Sequence, residues 1–178
     1  YLNWTPDIVH CHDWQAALVP LYLRTSFKDT NVGRAGAVLT IHNLRFQGIY
    51  DRKTIQYWSD LPDYVFNKDC MTQNWLDANM LKGGITYCNK LTTVSNTYAG
   101  EIQTEEYGEG LEEHLRYHSS KILGIVNGID TDIWNPATDK LLAAQYDSQS
   151  VIKNKKVNKK ALQESLGLEV DDHKIVIG

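Results

Sequence analysis

The sequence predicts an α/β domain built on a doubly wound parallel sheet. Two patterns lead to this prediction. Five short apolar runs alternate along the chain with stretches of helical character, which is the element order of a doubly wound fold. The runs are almost continuously apolar, as expected for strands that are covered on both faces. The length of 178 residues is that of one ordinary domain.

The five apolar runs have the length and composition of buried strands. Each has between four and six residues and is rich in isoleucine, valine or threonine. They cover residues 7–12, 37–42, 90–95, 122–127 and 174–178.

Five further stretches favour helices. They cover residues 14–24, 76–87, 97–103, 110–117 and 155–166. Pro20 should kink or break the first of them, because proline lacks the backbone N–H that a helix interior needs. Ser95 and Asn96 are good N-cap residues for the third helix, and Gly167 ends the fifth. The fifth helix also carries a lysine-rich run, which we expect on a solvated face.

Charge and cysteine usage exclude several functions. The net charge is −4 and the isoelectric point is near 5.8, which argues against binding to nucleic acid or to a membrane surface. No apolar run approaches the roughly 20 residues that span a bilayer. Cys11, Cys70 and Cys88 form no CxxC pair, so we expect a reducing, cytoplasmic compartment. Cys11 and Cys88 are expected to be buried, inert thiols. A chain that begins with tyrosine and ends inside an apolar run is expected to be a piece of a longer protein.

Small polar or imidazole side chains follow four successive strands. In open parallel sheets, ligands bind at the carboxyl ends of the strands, so these side chains should converge on one edge. Each also has a structural alternative: a histidine packed beside its strand, a helix cap at Ser95-Asn96, or a plain turn at Asn127-Gly128. The four groups are His10-Cys11-His12-Asp13, His42-Asn43, Ser95-Asn96 and Asn127-Gly128.

Several site chemistries fit these groups poorly. His10 and His12 share a strand face, as metal ligands often do, but the third and fourth strand ends offer Ser95, Asn96 and Asn127 rather than further metal ligands. The Gly-x-Ser-x-Gly elbow and the glycine-rich phosphate motifs are absent, and close helix packing explains Gly83-Gly84 better than phosphate binding does.

Neutral hydrogen-bonding groups remain at the strand ends, and they suit sugar hydroxyls. An excess of tyrosine and tryptophan over phenylalanine agrees, because aromatic faces pack on sugar rings.

The chain resembles the bacterial glycogen synthases and plant starch synthases, which are ADP-glucose-dependent α-1,4-glucan synthases. The resemblance runs through most of the chain in family order, and the second and fifth motifs together are highly specific. The motifs are Pro6-Asp7-Ile8-Val9-His10-Cys11-His12-Asp13-Trp14-Gln15, Thr40-Ile41-His42-Asn43-Leu44-Arg45-Phe46-Gln47-Gly48, Leu81-Lys82-Gly83-Gly84-Ile85, Thr93-Val94-Ser95-Asn96-Thr97-Tyr98-Ala99-Gly100-Glu101-Ile102 and Ile125-Val126-Asn127-Gly128-Ile129-Asp130-Thr131-Asp132-Ile133-Trp134-Asn135-Pro136.

The resemblance implies a GT-B glycosyltransferase, in which two Rossmann-like domains face a cleft. Residues 1–134 would be the later half of the N-terminal domain, 135–150 the interdomain hinge, and 151–178 the first elements of the C-terminal domain. The reaction would be retaining transfer of glucose from ADP-glucose to the non-reducing 4-hydroxyl of an α-1,4-glucan such as glycogen, maltooligosaccharide or starch. It needs no metal and no cofactor. The location would be cytoplasmic, or plastidic in a plant.

The resemblance also assigns site residues. His42 and Asp13 would be catalytic, with His42 contacting the donor glucose. Asn127 would hydrogen-bond the donor sugar. Trp14, Asn43 and Gln47 lie in the same motifs and would support substrate binding. Gln15, Phe46 and Cys11 depart mildly from the bacterial pattern without changing the reaction class.

The resemblance places other parts of the active site outside this chain. These are the Lys-x-Gly-Gly-Leu donor loop, the basic residues for the diphosphate and the C-terminal glutamate pair, so residues 1–178 alone should transfer no glucose. Three alternatives stay open: another GT-B enzyme with a different nucleotide-sugar, such as a sucrose synthase relative, a glucan-binding module without catalysis, and a metal hydrolase. Oligomeric state and acceptor length stay undetermined.

Overall fold

The computed structural model describes residues 4–177. Two compact units are present: one ends at Asn127 and the other begins at Gly128. No helix among residues 4–177 is both long and apolar enough to cross a membrane. The second-unit helix α7 (Val151–Ser165) carries the lysine-rich run, most of which is exposed.

A four-stranded parallel sheet forms the centre of the first unit. The strands are β1 (Ile8–His12), β2 (Gly36–Ile41), β5 (Lys90–Thr93) and β6 (Ile122–Gly124), and they lie in that order. Cys11 pairs with Leu39, and Leu39 with Leu91, which makes one buried row across three strands. The prediction of a parallel α/β sheet is therefore confirmed.

The helices of the first unit connect these strands. They are α1 (Asp13–Ala16), α2 (Leu18–Arg24), α3 (Arg52–Ser59), α4 (Met80–Tyr87), α5 (Asn96–Glu101) and α6 (Glu112–Tyr117). Buried side chains of α2, α4 and α6 share a core with the Leu39 row, so these connections lie on one face of the sheet.

The first predicted helix is divided at Ala17 rather than at Pro20. Pro20 is the third residue of α2, where backbone N–H groups have no partner within the helix, so proline is tolerated there. Gly84 explains how α4 packs beside this junction. A Cβ atom on Gly84 would lie 2.7 Å from the Ala17 carbonyl oxygen and 3.0 Å from Leu39 Cδ2. The close-packing interpretation of Gly83-Gly84 is confirmed.

An antiparallel pair of short strands was not predicted. It consists of β3 (Ile49–Asp51) and β4 (Asp77–Asn79), and α3 follows β3 directly. The prediction of a helix from residue 76 is therefore wrong at its start, because residues 77–79 pair with a distant segment before α4 begins. Their pairing depends on residues about 28 positions away, which local periodicity does not report.

The predicted strand at 174–178 is wrong within the described residues, and Gly178 lies outside them. Residues 174–177 have no regular secondary structure, and the side chains of Ile175 and Ile177 are 87% and 89% exposed. The second unit has no strand among its described residues with which this segment could pair. An apolar run without a neighbouring strand leaves its backbone groups to water, so the sequence pattern alone does not make a strand.

Candidate functional site

The candidate site lies at the carboxyl ends of β1 and β2, where the sequence predicts it. The parallel register sets His12 beside Thr40, and this brings Asp13 next to His42. The backbone N–H of His42 donates a hydrogen bond to Asp13 Oδ1 at 2.8 Å. Asp13 has a φ of 53°, in the left-handed region that aspartate adopts more readily than most residues. Such a conformation costs on the order of 1 kcal/mol or more and is typical of functional sites.

Three imidazoles stack beside this carboxylate. The ring centroids of His10 and His12 are 4.3 Å apart, and those of His12 and His42 are 5.2 Å apart. His12 Nδ1 and His42 Nε2 are 2.9 Å apart, so one nitrogen donates the hydrogen that the other accepts. This contact fixes the His42 ring relative to β1. Sequence reasoning placed His12 among the strand-end groups and weighed it as a metal ligand, but missed its contact with His42.

The His10 ring lies against the sheet. Its Nε2 is 2.7 Å from Thr40 Oγ1, which is in turn 2.6 Å from Thr92 Oγ1. Partial burial against the sheet lowers the pKa of His10, and the neighbouring His12 and His42 lower it further. Among residues 4–177 no group of three or more His, Cys, Asp or Glu side chains could hold a metal ion. The described residues thus supply no third ligand for a metal site at His10 and His12.

The segment after β2, which we call the 42–48 loop, begins at the site with His42. Asn43 is exposed, and its Oδ1 accepts a hydrogen bond from the Arg45 backbone N–H at 3.0 Å. Leu44 is buried, and its N–H donates to the Tyr98 hydroxyl at 3.1 Å. Phe46 is 59% exposed. The loop therefore presents an exposed tip that is held by local and long-range hydrogen bonds.

Trp14 packs directly beneath the end of this loop. Gly48 has a φ of 65°, and a Cβ atom there would lie 2.4 Å from Trp14 Cε3. The Trp14 ring also lies 6.0 Å from the ring of Tyr50. Only glycine fits both the conformation and the space at position 48. The Gln-Gly pair in the sequence was the local signal for this close approach.

Gln47 is the predicted site residue that faces inward. Its side chain is 6% exposed. Its Nε2 donates to the Glu109 carbonyl at 2.9 Å, and its Oε1 accepts from Asn79 Nδ2 at 2.6 Å. Both polar atoms are therefore engaged within the protein. Asn79 was missed by sequence reasoning, although an asparagine before a helix is an ordinary N-cap signal.

Polar groups at the other two strand ends have different surroundings. Ser95 Oγ accepts a hydrogen bond from the Tyr98 backbone N–H at 2.9 Å, so the helix-cap interpretation is confirmed. Asn127 is exposed, two residues beyond Ile125, whose N–H still bonds to the Thr93 carbonyl. No hydrogen bond among the described residues joins Asn127 to Asp13 or His42. The structure thus brings together Asp13, His42 and the 42–48 loop, and Asn127 lies on a separate loop.

Comparison with known proteins identifies the family. A family model for the starch synthase catalytic domain matches residues 1–117. The chain belongs to this family. A glycogen synthase of Lachnoclostridium phytofermentans is 45% identical over 99% of this chain and 37% of its own length. A glycogen synthase of Thermotoga maritima is 47% identical over the whole chain and 36% of its own length.

A solved structure supports the fold as well. It is the catalytic domain of starch synthase IV from Arabidopsis thaliana, bound to ADP and acarbose. The match has a TM-score of 0.84 and 38% sequence identity, and it covers 96% of this chain and 34% of that one. The α/β fold is therefore that of a starch synthase catalytic domain, a GT-B glycosyltransferase. The chain spans little more than a third of the length of the relatives that it matches.

Proposed function

We propose that this chain supplies part of the donor-sugar site of a retaining glucan synthase. The enzyme would transfer glucose from ADP-glucose to the non-reducing 4-hydroxyl of an α-1,4-glucan, in glycogen or starch synthesis. The observation that carries the proposal is the contact between Asp13 and His42 at the carboxyl edge of the sheet, in a chain of this family. Because the chain spans only part of its relatives, the activity is proposed for the full-length protein.

The side chains suit a reaction in which positive charge develops on the sugar. The bond between the anomeric carbon and the diphosphate breaks, and a bond to the acceptor oxygen forms on the same face of the ring. The Asp13 carboxylate would stabilise the oxocarbenium-like centre or orient a hydroxyl. The His42 imidazole and the Asn127 amide would hydrogen-bond the ring hydroxyls of the donor. The contacts of His42 with His12 and Asp13 would hold it in place before the donor binds.

Supporting roles follow from position. Trp14 would form an apolar wall under the loop, and the exposed amide of Asn43 would face the cleft. The supporting role of Gln47 in substrate binding stays a prediction. We propose no metal and no cofactor, and ADP-glucose acts as a substrate. We also propose no nucleic-acid or membrane partner.

We propose a cytoplasmic location, which the three buried free cysteines support.

The domain assignment is also a proposal. Residues 1–134 would close the N-terminal Rossmann-like domain, 135–150 would form the hinge, and 151–178 would open the C-terminal domain. The boundary between the two compact units, after Asn127, supports a division in this region.

The test is ADP release by the full-length protein from ADP-glucose, with maltooligosaccharide as acceptor. We expect release that depends on the acceptor, and little or no UDP release from UDP-glucose. Activity with UDP-glucose alone would favour the alternative of another nucleotide-sugar. Calorimetric binding of maltooligosaccharide without turnover of either donor would favour a glucan-binding module. A separate sample of residues 1–178 alone should release no ADP.

A further inference from the structure

The end of the 42–48 loop is held by a cluster of buried amides. Asn79 is completely buried and Gln47 nearly so, and Gln73 is half-buried. Asn79 Nδ2 lies 2.6 Å from Gln47 Oε1 and 3.3 Å from Gln73 Oε1. Buried amides without partners would be costly, so this cluster has one favourable arrangement.

The surrounding backbone sets the direction of each amide. Asn79 Oδ1 accepts a hydrogen bond from the Lys82 N–H at 2.9 Å, at the first turn of α4. Its Nδ2 is therefore the donor to Gln47, which must present Oε1 to Asn79. This leaves Gln47 Nε2 free to donate to the Glu109 carbonyl. The amide orientations thus follow from the helix cap and are not a free choice.

The turn at residues 109–110 is shaped to receive these donors. Glu109 has a φ of 49° and Gly110 a φ of 79°, two successive residues in the left-handed region. The Glu109 carbonyl accepts from Gln47, and the Gly110 carbonyl accepts from Gln73 Nε2 at 3.0 Å. The left-handed region is unfavourable for glutamate, and these hydrogen bonds can offset that cost. The two glutamines therefore contact the same turn in parallel.

Only one of the two glutamines belongs to the loop at the site. The carbonyls of Gln47 and Gly48 accept hydrogen bonds from the N–H groups of Leu81 and Met80 at 3.0 and 3.1 Å. The other end of the loop is held by the bond from the His42 N–H to Asp13. The exposed tip lies between these two anchors. Gln73 is outside the loop, so it offers a matched comparison.

We propose that Gln47 is a positioning residue, whose buried amide ties the 42–48 loop to the 109–110 turn and to Asn79 and so sets the loop's geometry at the donor site. This inference rests on the proposed function. Gln47 acts through the loop rather than by touching substrate, because its polar atoms are engaged and its side chain is buried.

The test compares Gln47→Met with Gln73→Met in the full-length enzyme. Both variants remove one amide from the same turn and keep a side chain of similar length. We expect Gln47→Met to lower kcat at least tenfold with less than a threefold change in the KM for ADP-glucose. Gln73→Met should keep kcat within twofold. It should lower the unfolding temperature by about as much as Gln47→Met does. Equal kcat in both variants, or a rise in KM alone for Gln47→Met, would overturn the proposal.

A second measurement does not depend on the reaction. Hydrogen exchange of the amides of Leu44, Arg45 and Phe46 should accelerate at least tenfold in Gln47→Met and not in Gln73→Met. If the wild-type protein transfers no glucose, the proposed function fails, and exchange still decides the positioning role. If Gln47→Met does not fold, Gln47→Asn replaces it. The shorter amide cannot reach both partners, so we expect smaller changes in kcat and in hydrogen exchange, in the same direction. Exchange at the wild-type rate would contradict the inference.

Discussion

Two histidine clusters in the first unit have opposite surroundings. The strand-end cluster, His10, His12 and His42, is exposed, and its rings contact one another at the carboxyl edge of the sheet. The helical cluster, His114 and His118, lies on α6 and at its end, with ring centroids 4.6 Å apart. His114 Nε2 is 3.1 Å from Thr86 Oγ1. The strand-end cluster is open to solvent, and the helical cluster is half-buried beside α4.

The difference shows that surroundings, rather than residue type, decide what a histidine can do. Burial lowers the pKa of His114 to about 3, helped by His118, Lys82 and Lys121. Burial also lowers the pKa of His118 to about 4, with a further contribution from Lys121. Both rings are therefore neutral in the folded protein at ordinary pH. We expect the helical cluster to serve stability and the strand-end cluster to serve catalysis.

The largest expected effect comes from making the same substitution in both clusters. In the full-length enzyme, His42→Gln should lower kcat/KM for ADP-glucose more than about 100-fold, since it removes a group at the reacting sugar. Its stability should change by less than about 0.5 kcal/mol because the ring is exposed. His114→Gln should lower stability by about 1–2 kcal/mol and leave kcat within twofold. Steady-state kinetics and thermal unfolding of the two variants test this, and a reversed pattern would refute the comparison.

A second effect follows from the lowered pKa of His114. The unfolded chain binds a proton near pH 6.5, whereas the folded protein does so only near pH 3. The unfolded state therefore holds more protons between these values, and stability falls as the pH falls through this window. The loss is up to about 1.4 kcal/mol for each pH unit. His118 adds a further loss of stability as the pH falls from about 6.5 to 4.

Urea unfolding at pH 7 and pH 5 measures this effect. The stability difference between the two pH values should be smaller in His114→Gln than in the wild type. His42→Gln is the control and should keep most of the wild-type pH dependence, because it removes only the smallest of the causes that lower the pKa of His10. Identical pH dependence in all three proteins would mean that His114 does not remain neutral in the folded state at pH 5.

The smallest expected effect concerns the backbone near the strand-end cluster. Gly48→Ala should destabilise the protein by about 2 kcal/mol, because the φ of 65° is strained for alanine and Cβ would meet the Trp14 ring. Gly100 is the control: it lies in α5, and a Cβ atom there would meet nothing within 4 Å. Gly100→Ala should stabilise the protein by up to about 1 kcal/mol. Thermal unfolding distinguishes the two signs. Equal shifts in unfolding temperature would show that the contact with Trp14 does not destabilise alanine at position 48.

Much of the fold could be predicted because its signals are local. The four paired strands lie within a few residues of their predicted positions, although three of them end one to three residues early. Ser95 belongs to a helix cap, and Asn127 belongs to a loop beyond β6. The failures are elements that need a distant partner. The pair β3 and β4 was missed for this reason, and residues 174–177 form no strand where no neighbour is present.

The candidate site divides in the same way. The sequence by itself determined that polar side chains follow the strands, because strand ends and motifs are read over a few residues. Only the tertiary structure decided their contacts: the ring of His12 meets that of His42 across 30 positions of sequence. Gln47 faces inward to Glu109, 62 positions away. The physical reason is that a side chain's partners depend on which segments the folded sheet and helices bring together, and local patterns carry no record of that.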